Sequence, residues 1–332
     1  MKNLAIIGAG SWGTALAIVL APRFPQLRLW VYEADLAARM RISRENDVYL
    51  PGFQLADHVE VVSNLPSALE GAEVVLSVMP SHLVRRLYQE MLPSLDESML
   101  FVSATKGLEN GSLLRMSEVI REVLATRMRP QVAAISGPTF AKEVARFEPT
   151  ALVVASSNPG AADRVQAAFS GPTFRLYSSS DTIGVEIGGS IKNVVAIGAG
   201  VLHGMGLGHN PMAALITRGL AEITRLAVAM GGQPQTLAGL AGLGDLVLTC
   251  NGELSRNRAV GVELAHGRRL EEIVGSMKMV AEGIKTTNAA VDLAQRYAVE
   301  MPISEQMFQV LNSGVSPREA IQRLMERSLK GE

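Results

Sequence analysis

Cysteine is nearly absent from this chain of 332 residues, with Cys250 the one copy. That excludes a disulfide framework and a multi-cysteine metal site, and it fits a reducing compartment. An excess of either charge is also missing. Lys+Arg number 31 against 32 Asp+Glu, a formal net charge of −1. No basic field is available to hold nucleic acid or an anionic membrane. Histidine is sparse. The five, at 58, 82, 203, 209 and 266, form no i, i+4 pair with a carboxylate partner, so no metal site is expected. A long unbroken apolar run is lacking too. The most apolar stretch, 194–208, carries Gly198, Gly200, His203, Gly204 and Gly206. It reads as too short and too interrupted to span a bilayer, so no integral membrane segment is expected. No targeting segment is legible, because Met1-Lys2-Asn3 leads straight into an apolar run. These absences together suggest a soluble, cytoplasmic protein.

What is present is informative from the start. Leu4-Ala5-Ile6-Ile7 reads as a buried parallel strand, and it ends in Gly8-Ala9-Gly10-Ser11-Trp12-Gly13. An apolar helical run follows from Thr14 to Leu20. Each glycine has a task. Gly8 allows the tight turn out of the strand, Gly10 lets the backbone approach a pyrophosphate, and Gly13 lets helix and sheet pack closely. The helix N-terminus then offers free N–H groups and a positive dipole end to phosphates. Glycine-rich turns also serve purely structural ends. It is the position between strand and helix that points to a dinucleotide.

At roughly 100–200 residues per domain the length suggests about two domains, and 48% hydrophobic residues is ample for their cores. Further strands are expected at 27–31, 58–62, 73–78, 100–102, 132–135, 150–155 and 173–177, with helices between most of them, such as 82–91 and 113–124. The alternation predicts an α/β, mostly parallel sheet covered on both faces. Ligands of such sheets bind beyond the carboxyl ends of the strands, where the loops at 8–13, 79–81, 103–107 and 136–139 fall. After Tyr177 helical patterns take over. Asn210-Pro211 reads as a cap and first turn of a helix to Met230, stopped at Gly231-Gly232. Others are expected at 234–243, 260–266, 270–274, 286–297, 304–311 and 317–327. The domain boundary is placed near 178–182, dividing the chain into 1–180 and 181–332. No Ser/Gly linker separates the parts, so tight packing is expected.

Several residues could carry chemistry. Glu33 follows the glycine turn by about 20 residues, the spacing at which a carboxylate binds an adenosine ribose. It favours NAD and repels a 2′-phosphate. Arg39, Arg41 and Arg44 follow, as partial offset or as a solvated helix face. Lys106, between Thr105 and Gly107, suits holding an anion or carbonyl oxygen, or is a plain surface lysine. Lys192-Asn193 lies among small and apolar residues, and glycine is costly inside helices, so its density suggests a close neighbour or ligand. A lysine there is rarely buried without purpose. Desolvation and a nearby cation such as Lys106 would lower its pKa and suit it to general acid–base work. The alternative is a lysine snorkelling out of a core helix. Asp245 and Thr249, four apart, share a face if helical. Ser255-Arg256-Asn257 reads as a polar, irregular stretch. It offers a bidentate phosphate grip with two hydrogen-bonding neighbours, or an ordinary capped helix start. Cys250 reads as a packing residue.

In joint order and spacing these segments resemble the NAD(P)-dependent glycerol-3-phosphate dehydrogenases over essentially the whole chain. The resemblance rests on residues 8–15, 104–107, 136–141, 192–193, 242–246, 255–257 and 281–286. It implies a Rossmann-like sheet with an all-helical C-terminal domain, a homodimer, and NAD(P)H as cofactor. It also implies conversion of dihydroxyacetone phosphate to sn-glycerol 3-phosphate for phospholipid synthesis. By that resemblance Ser11, Trp12, Tyr32, Lys106, Ala141, Arg256, Val280 and Glu282 contact the cofactor. Lys106, Gly137, Thr139, Lys192, Asp245, Ser255, Arg256 and Asn257 meet the substrate, with Lys192 the proton acceptor in oxidation. Preference between NAD and NADP stays open. Two rivals remain: a dehydrogenase of another small phosphorylated or hydroxy-acid substrate, and a non-catalytic dinucleotide sensor, which would need no substrate-side lysine.

Overall fold

The structure is a computed structural model describing residues 1–277, 281–329 and 331. Its strands are β1 (Asn3–Ile7), β2 (Gln26–Trp30), β3 (Glu45–Asn46), β4 (Leu50–Gln54), β5 (Val59–Val62), β6 (Val74–Ser77), β7 (Leu100–Ser103), β8 (Gln131–Ser136), β9 (Thr150–Ala155) and β10 (Phe174–Ser179). Eight of them form one sheet in the order β10-β9-β8-β7-β6-β1-β2-β5. In β1, Leu4 and Ile6 enter the apolar layer on one face, while Ala5 and Ile7 enter the layer on the other. Burial on both faces explains why the strand reads as an unbroken apolar run.

From β5 to β8 every pairing is parallel. The parallel run ends there, for β9 pairs antiparallel with β8 and β10 follows it in parallel. Between β8 and β9 lies only the five-residue helix Ala141–Ala145, which packs on the helix Ser11–Leu20 rather than crossing the sheet. The chain therefore turns back instead of making a parallel crossover. The sheet's switch point lies between β1 and β6, because the chain leaves β1 for β2 on one side and returns to β6 on the other. Ligands of doubly wound sheets bind at this crevice.

Just past β10 begins a helix of 23 residues, Thr182–Gly204, with twenty of them buried. It is long and apolar enough to cross a membrane, but the neighbouring elements bury its whole apolar window. Its glycines do not interrupt it, contrary to the sequence expectation; they are contact points. A Cβ added at Gly200 would lie 1.9 Å from the Arg258 carbonyl oxygen, and one at Gly261 would lie 1.9 Å from that of Ile197. This central helix and the helix Arg256–Ala265 thus cross backbone to backbone. Asp181 caps the central helix by accepting from the Gly184 N–H at 2.8 Å.

Other boundaries shift for local reasons. The 113–124 helix begins at Met116, since Leu113 has a φ of 63°. His209–Ala229 starts one residue before Asn210, which is therefore not its cap; Gly208 is. The expected 234–243 helix breaks into Pro234–Leu237 and a π-turn, Leu240–Gly244. Ser255-Arg256-Asn257 is not irregular. Ser255 accepts from the Arg258 N–H at 3.2 Å and caps the helix that Arg256 opens. The β3–β4 hairpin was not expected at all.

Candidate active site

The glycine turn leaves β1 with Gly8 at φ 118°, a conformation open to glycine. A Cβ on Gly13 would lie 1.8 Å from the Gly8 carbonyl oxygen, so the helix sits hard against the turn. At Gly10 an added Cβ meets nothing within 4 Å, so the turn faces open space. The Trp12 indole N–H, in the helix's first turn, is buried without a partner. From the hairpin, buried Asn46 donates to the Ala9 carbonyl at 2.8 Å and to Thr14 Oγ1 at 2.9 Å, bracing the turn from behind. An open cradle of backbone with a donor left over suits a pyrophosphate-bearing cofactor.

The turn forms one wall of a cleft of about 560 Å³ between the sheet edge and the helical part. Gly8, Gly10, Ser11, Trp12, Tyr32, Glu33, Lys106, Thr139, Ala141, Lys192, Ser255, Arg256, Asn257 and Glu282 all line it. Gly13 lies behind the turn, and Gly137 and Asp245 reach the site through Lys106. Val280 lies outside the described residues.

Deepest is a lysine pair sharing one carboxylate. Lys106, just past β7, donates to Asp245 Oδ2 at 2.7 Å, to the Gly137 carbonyl at 2.8 Å and to Thr139 Oγ1 at 3.2 Å. Lys192, on the central helix, donates to Asp245 Oδ1 and to Thr249 Oγ1. Asp245 and Thr249 do share a helical face, on Asp245–Asn251, and the Thr249 hydroxyl donates to the Asp245 carbonyl at 2.6 Å. Asp245 is fully buried and Lys192 is 5% exposed, so Lys192 does not snorkel. Burial lowers the Lys192 ammonium to about 8; Asp245 opposes the shift and Lys106 adds to it. Two cations against one anion leave this pocket one positive charge in hand when both are protonated.

Arg256 and Asn257 open their helix on the cleft. Burial lowers the Arg256 pKa, opposed by Glu282. The Asn257 amide donates to Asn193 Oδ1 at 2.9 Å and accepts from the Gly283 N–H at 3.0 Å, tying three helices together. Glu282 spans the cleft, accepting from the Ser81 hydroxyl at 2.7 Å and its N–H at 3.2 Å. Ser81 lies in the 79–81 loop expected at the strand ends, but its pairing with Glu282 was not expected, nor were the roles of Asn46 and of Tyr49, whose hydroxyl donates to Glu33 at 2.7 Å. Glu33 is not bonded to Arg39, Arg41 or Arg44; Arg39 bonds Asp35 and Asp47, and the other two bond carbonyls of β5. Burial pushes the Cys250 thiol up to about 12, consistent with packing and not nucleophilic chemistry. Among the described residues no three His, Cys, Asp or Glu side chains gather.

A glycine turn at a sheet switch point, across a cleft from a buried lysine whose pKa burial lowers, defines a dinucleotide-dependent oxidoreductase. Family models carry this further. The NAD-dependent glycerol-3-phosphate dehydrogenase N-terminus matches residues 3–162, and the C-terminus of the same family matches 181–322. The chain belongs to this family. It is 57% identical over 329 residues to a glycerol-3-phosphate dehydrogenase [NAD(P)+] of Koribacter versatilis, covering 98% of each chain. A protein of that name from Citrifermentans bemidjiense is 53% identical over 331 residues, covering 100% of this chain and 99% of its own. The crystal structure of glycerol-3-phosphate dehydrogenase from Coxiella burnetii matches with a TM-score of 0.93 at 41% identity, covering 98% of this chain and 99% of that one.

Proposed function

We infer that this enzyme interconverts dihydroxyacetone phosphate and sn-glycerol 3-phosphate with NAD(P)H, Lys192 exchanging the proton. The observation that carries the role is the Lys192–Asp245–Lys106 arrangement at the floor of the cleft. When bound, NAD(P)H supplies a hydride to the substrate's carbonyl carbon. Gly8, Gly10, Ser11, Trp12 and Gly13 form the cradle for its pyrophosphate side, with Tyr32, Ala141 and Glu282 on the surrounding walls. Arg256 and Asn257, with the capping Ser255, hold the substrate phosphate. Lys106, positioned by Gly137 and Thr139, fixes the carbonyl end. As the carbonyl carbon is reduced, the Lys192 ammonium gives its proton to the carbonyl oxygen. In oxidation the neutral amine takes it back. The two lysines stabilise developing alkoxide charge in a site shielded from water. A shared carboxylate keeps them together without cancelling both.

The phosphate role of Arg256 has its own signature. Arg256→Ala should raise the KM for dihydroxyacetone phosphate by about 10- to 100-fold, the size of a lost charge-assisted hydrogen bond. A smaller change is expected with a phosphate-free analogue. Steady-state kinetics with both substrates decide it, and an unchanged KM removes Arg256 from the phosphate site.

A sensor without catalysis has no use for a buried, pKa-lowered lysine facing the glycine turn. A spectrophotometric assay with dihydroxyacetone phosphate and each reduced cofactor tests the reading as a whole. No oxidation of either cofactor overturns it. The two-domain division at residue 180, a cytoplasmic location and a homodimer belong to the same reading. Their support is the switch from strands to helices at that point, the cysteine usage, and the family resemblance. Supply of sn-glycerol 3-phosphate for phospholipid synthesis follows from the product.

A further inference from the structure

The names of the relatives allow either nicotinamide cofactor, and the end of β2 bears on the choice. Tyr32 and Glu33 follow β2 and line the cleft beside the glycine turn. The Glu33 carboxylate accepts from the Tyr49 hydroxyl at 2.7 Å. Tyr49 belongs to the connection between β3 and β4, and its N–H donates to Asn46 Oδ1 at 3.0 Å. The Asn46 amide in turn holds Ala9 of the glycine turn. One hairpin therefore fixes the carboxylate relative to the pyrophosphate cradle. A carboxylate at this place in the fold accepts from the ribose hydroxyls of NAD(H).

A 2′-phosphate there needs a cation, and the nearby arginines in sequence are engaged. Arg39 bonds Asp35 and Asp47, each at 3.2 Å. Arg41 donates to the Val61 carbonyl at 2.8 Å, and Arg44 donates to that of Val59 at 2.8 Å. These two bonds go to main-chain oxygens of β5, the edge strand of the sheet. Five cations line the cleft: Lys106, Lys192 and Arg256 serve the substrate end, and the remaining two, Arg86 and Lys142, do not pair with Glu33. Arg86 lies 3.5 Å from Glu90 on its own helix. Even in a water-like dielectric, a carboxylate in contact range of a phosphate dianion costs about tenfold in affinity.

We propose that Glu33, held in place by Tyr49, makes NAD(H) rather than NADP(H) the preferred cofactor of this chain. The proposal rests on the dinucleotide reading of the cleft. Its test is direct binding: the protein without substrate is titrated with NADH and with NADPH, following nicotinamide fluorescence, at low and high salt. NADH is expected to bind at least about tenfold tighter, with the gap narrowing at high salt as repulsion is screened. Glu33→Gln closes the gap, chiefly by tightening NADPH. Tyr49→Phe, which keeps the ring and frees the carboxylate, narrows it in part, and circular dichroism checks that both variants fold. NADPH binding as tightly as NADH in the parent protein, or a ratio unmoved by Glu33→Gln, overturns the proposal. Binding of neither cofactor overturns the dinucleotide reading itself.

Discussion

Lys192→Ala is expected to lower turnover in both directions by at least about 100-fold, the usual size of a lost acid–base group. NADH affinity, measured by titration, should hardly change. The reason is the division of the cleft: the cofactor cradle is built from β1 and its turn, whereas Lys192 comes from the central helix on the opposite side. The parent enzyme carries a matching pH signature. With the ammonium lowered to about 8, reduction of dihydroxyacetone phosphate needs the protonated form and should fall as pH rises through that value. Oxidation of glycerol 3-phosphate needs the neutral amine and should rise over the same range. Near-normal turnover in Lys192→Ala, or profiles for the two directions that move together, would remove Lys192 from proton transfer.

Asp245→Asn should be as damaging, and in two ways. Asp245 is fully buried between two lysines, so removing its charge leaves two cations facing each other out of water. Breaking a buried ion pair on one side typically costs about 3–5 kcal/mol, visible as a lower midpoint in denaturant or heat. The surviving enzyme should also titrate differently. Asp245 favours the charged form of Lys192 while burial and Lys106 oppose it. Without the carboxylate the reduction limb moves below about 8, and activity near neutral pH falls with it. A variant as stable as the parent with an unmoved limb would show that Asp245 does not govern the lysine's charge.

Much of this was legible in the sequence because it is written locally. The parallel strands are apolar on both pleat faces, the glycine turn sits between strand and helix, and Lys192 stands out as a lone charge among glycines and β-branched residues. Asp245 and Thr249 announce a shared face by their spacing. What stayed hidden is long-range or poorly periodic. Ser81 meets Glu282 across 201 residues of chain, with no local pattern to mark it. Tyr49 and Asn46 depend on a hairpin whose first strand has two residues, too few for alternation to register. The reversal at β9 follows from what the chain does between β8 and β9, which strand patterns do not encode. The Asn210 cap failed for a related reason: two good capping positions stood two residues apart, and glycine at 208 took the role.

The central helix carries one more consequence. It contains six glycines and nine β-branched residues in 23 positions, which disfavours helix by about 10 kcal/mol relative to alanine. As a free segment it would be unstructured. It becomes a helix only because neighbouring backbones close on it, as at Gly200 and Gly261. The segment bearing the proton-transfer lysine therefore has no stability of its own to spend on local opening. Its amide hydrogens should exchange with solvent at the rate set by unfolding of the entire helical half, and catalytic competence should vanish in the same transition, with no folded but inactive state before it.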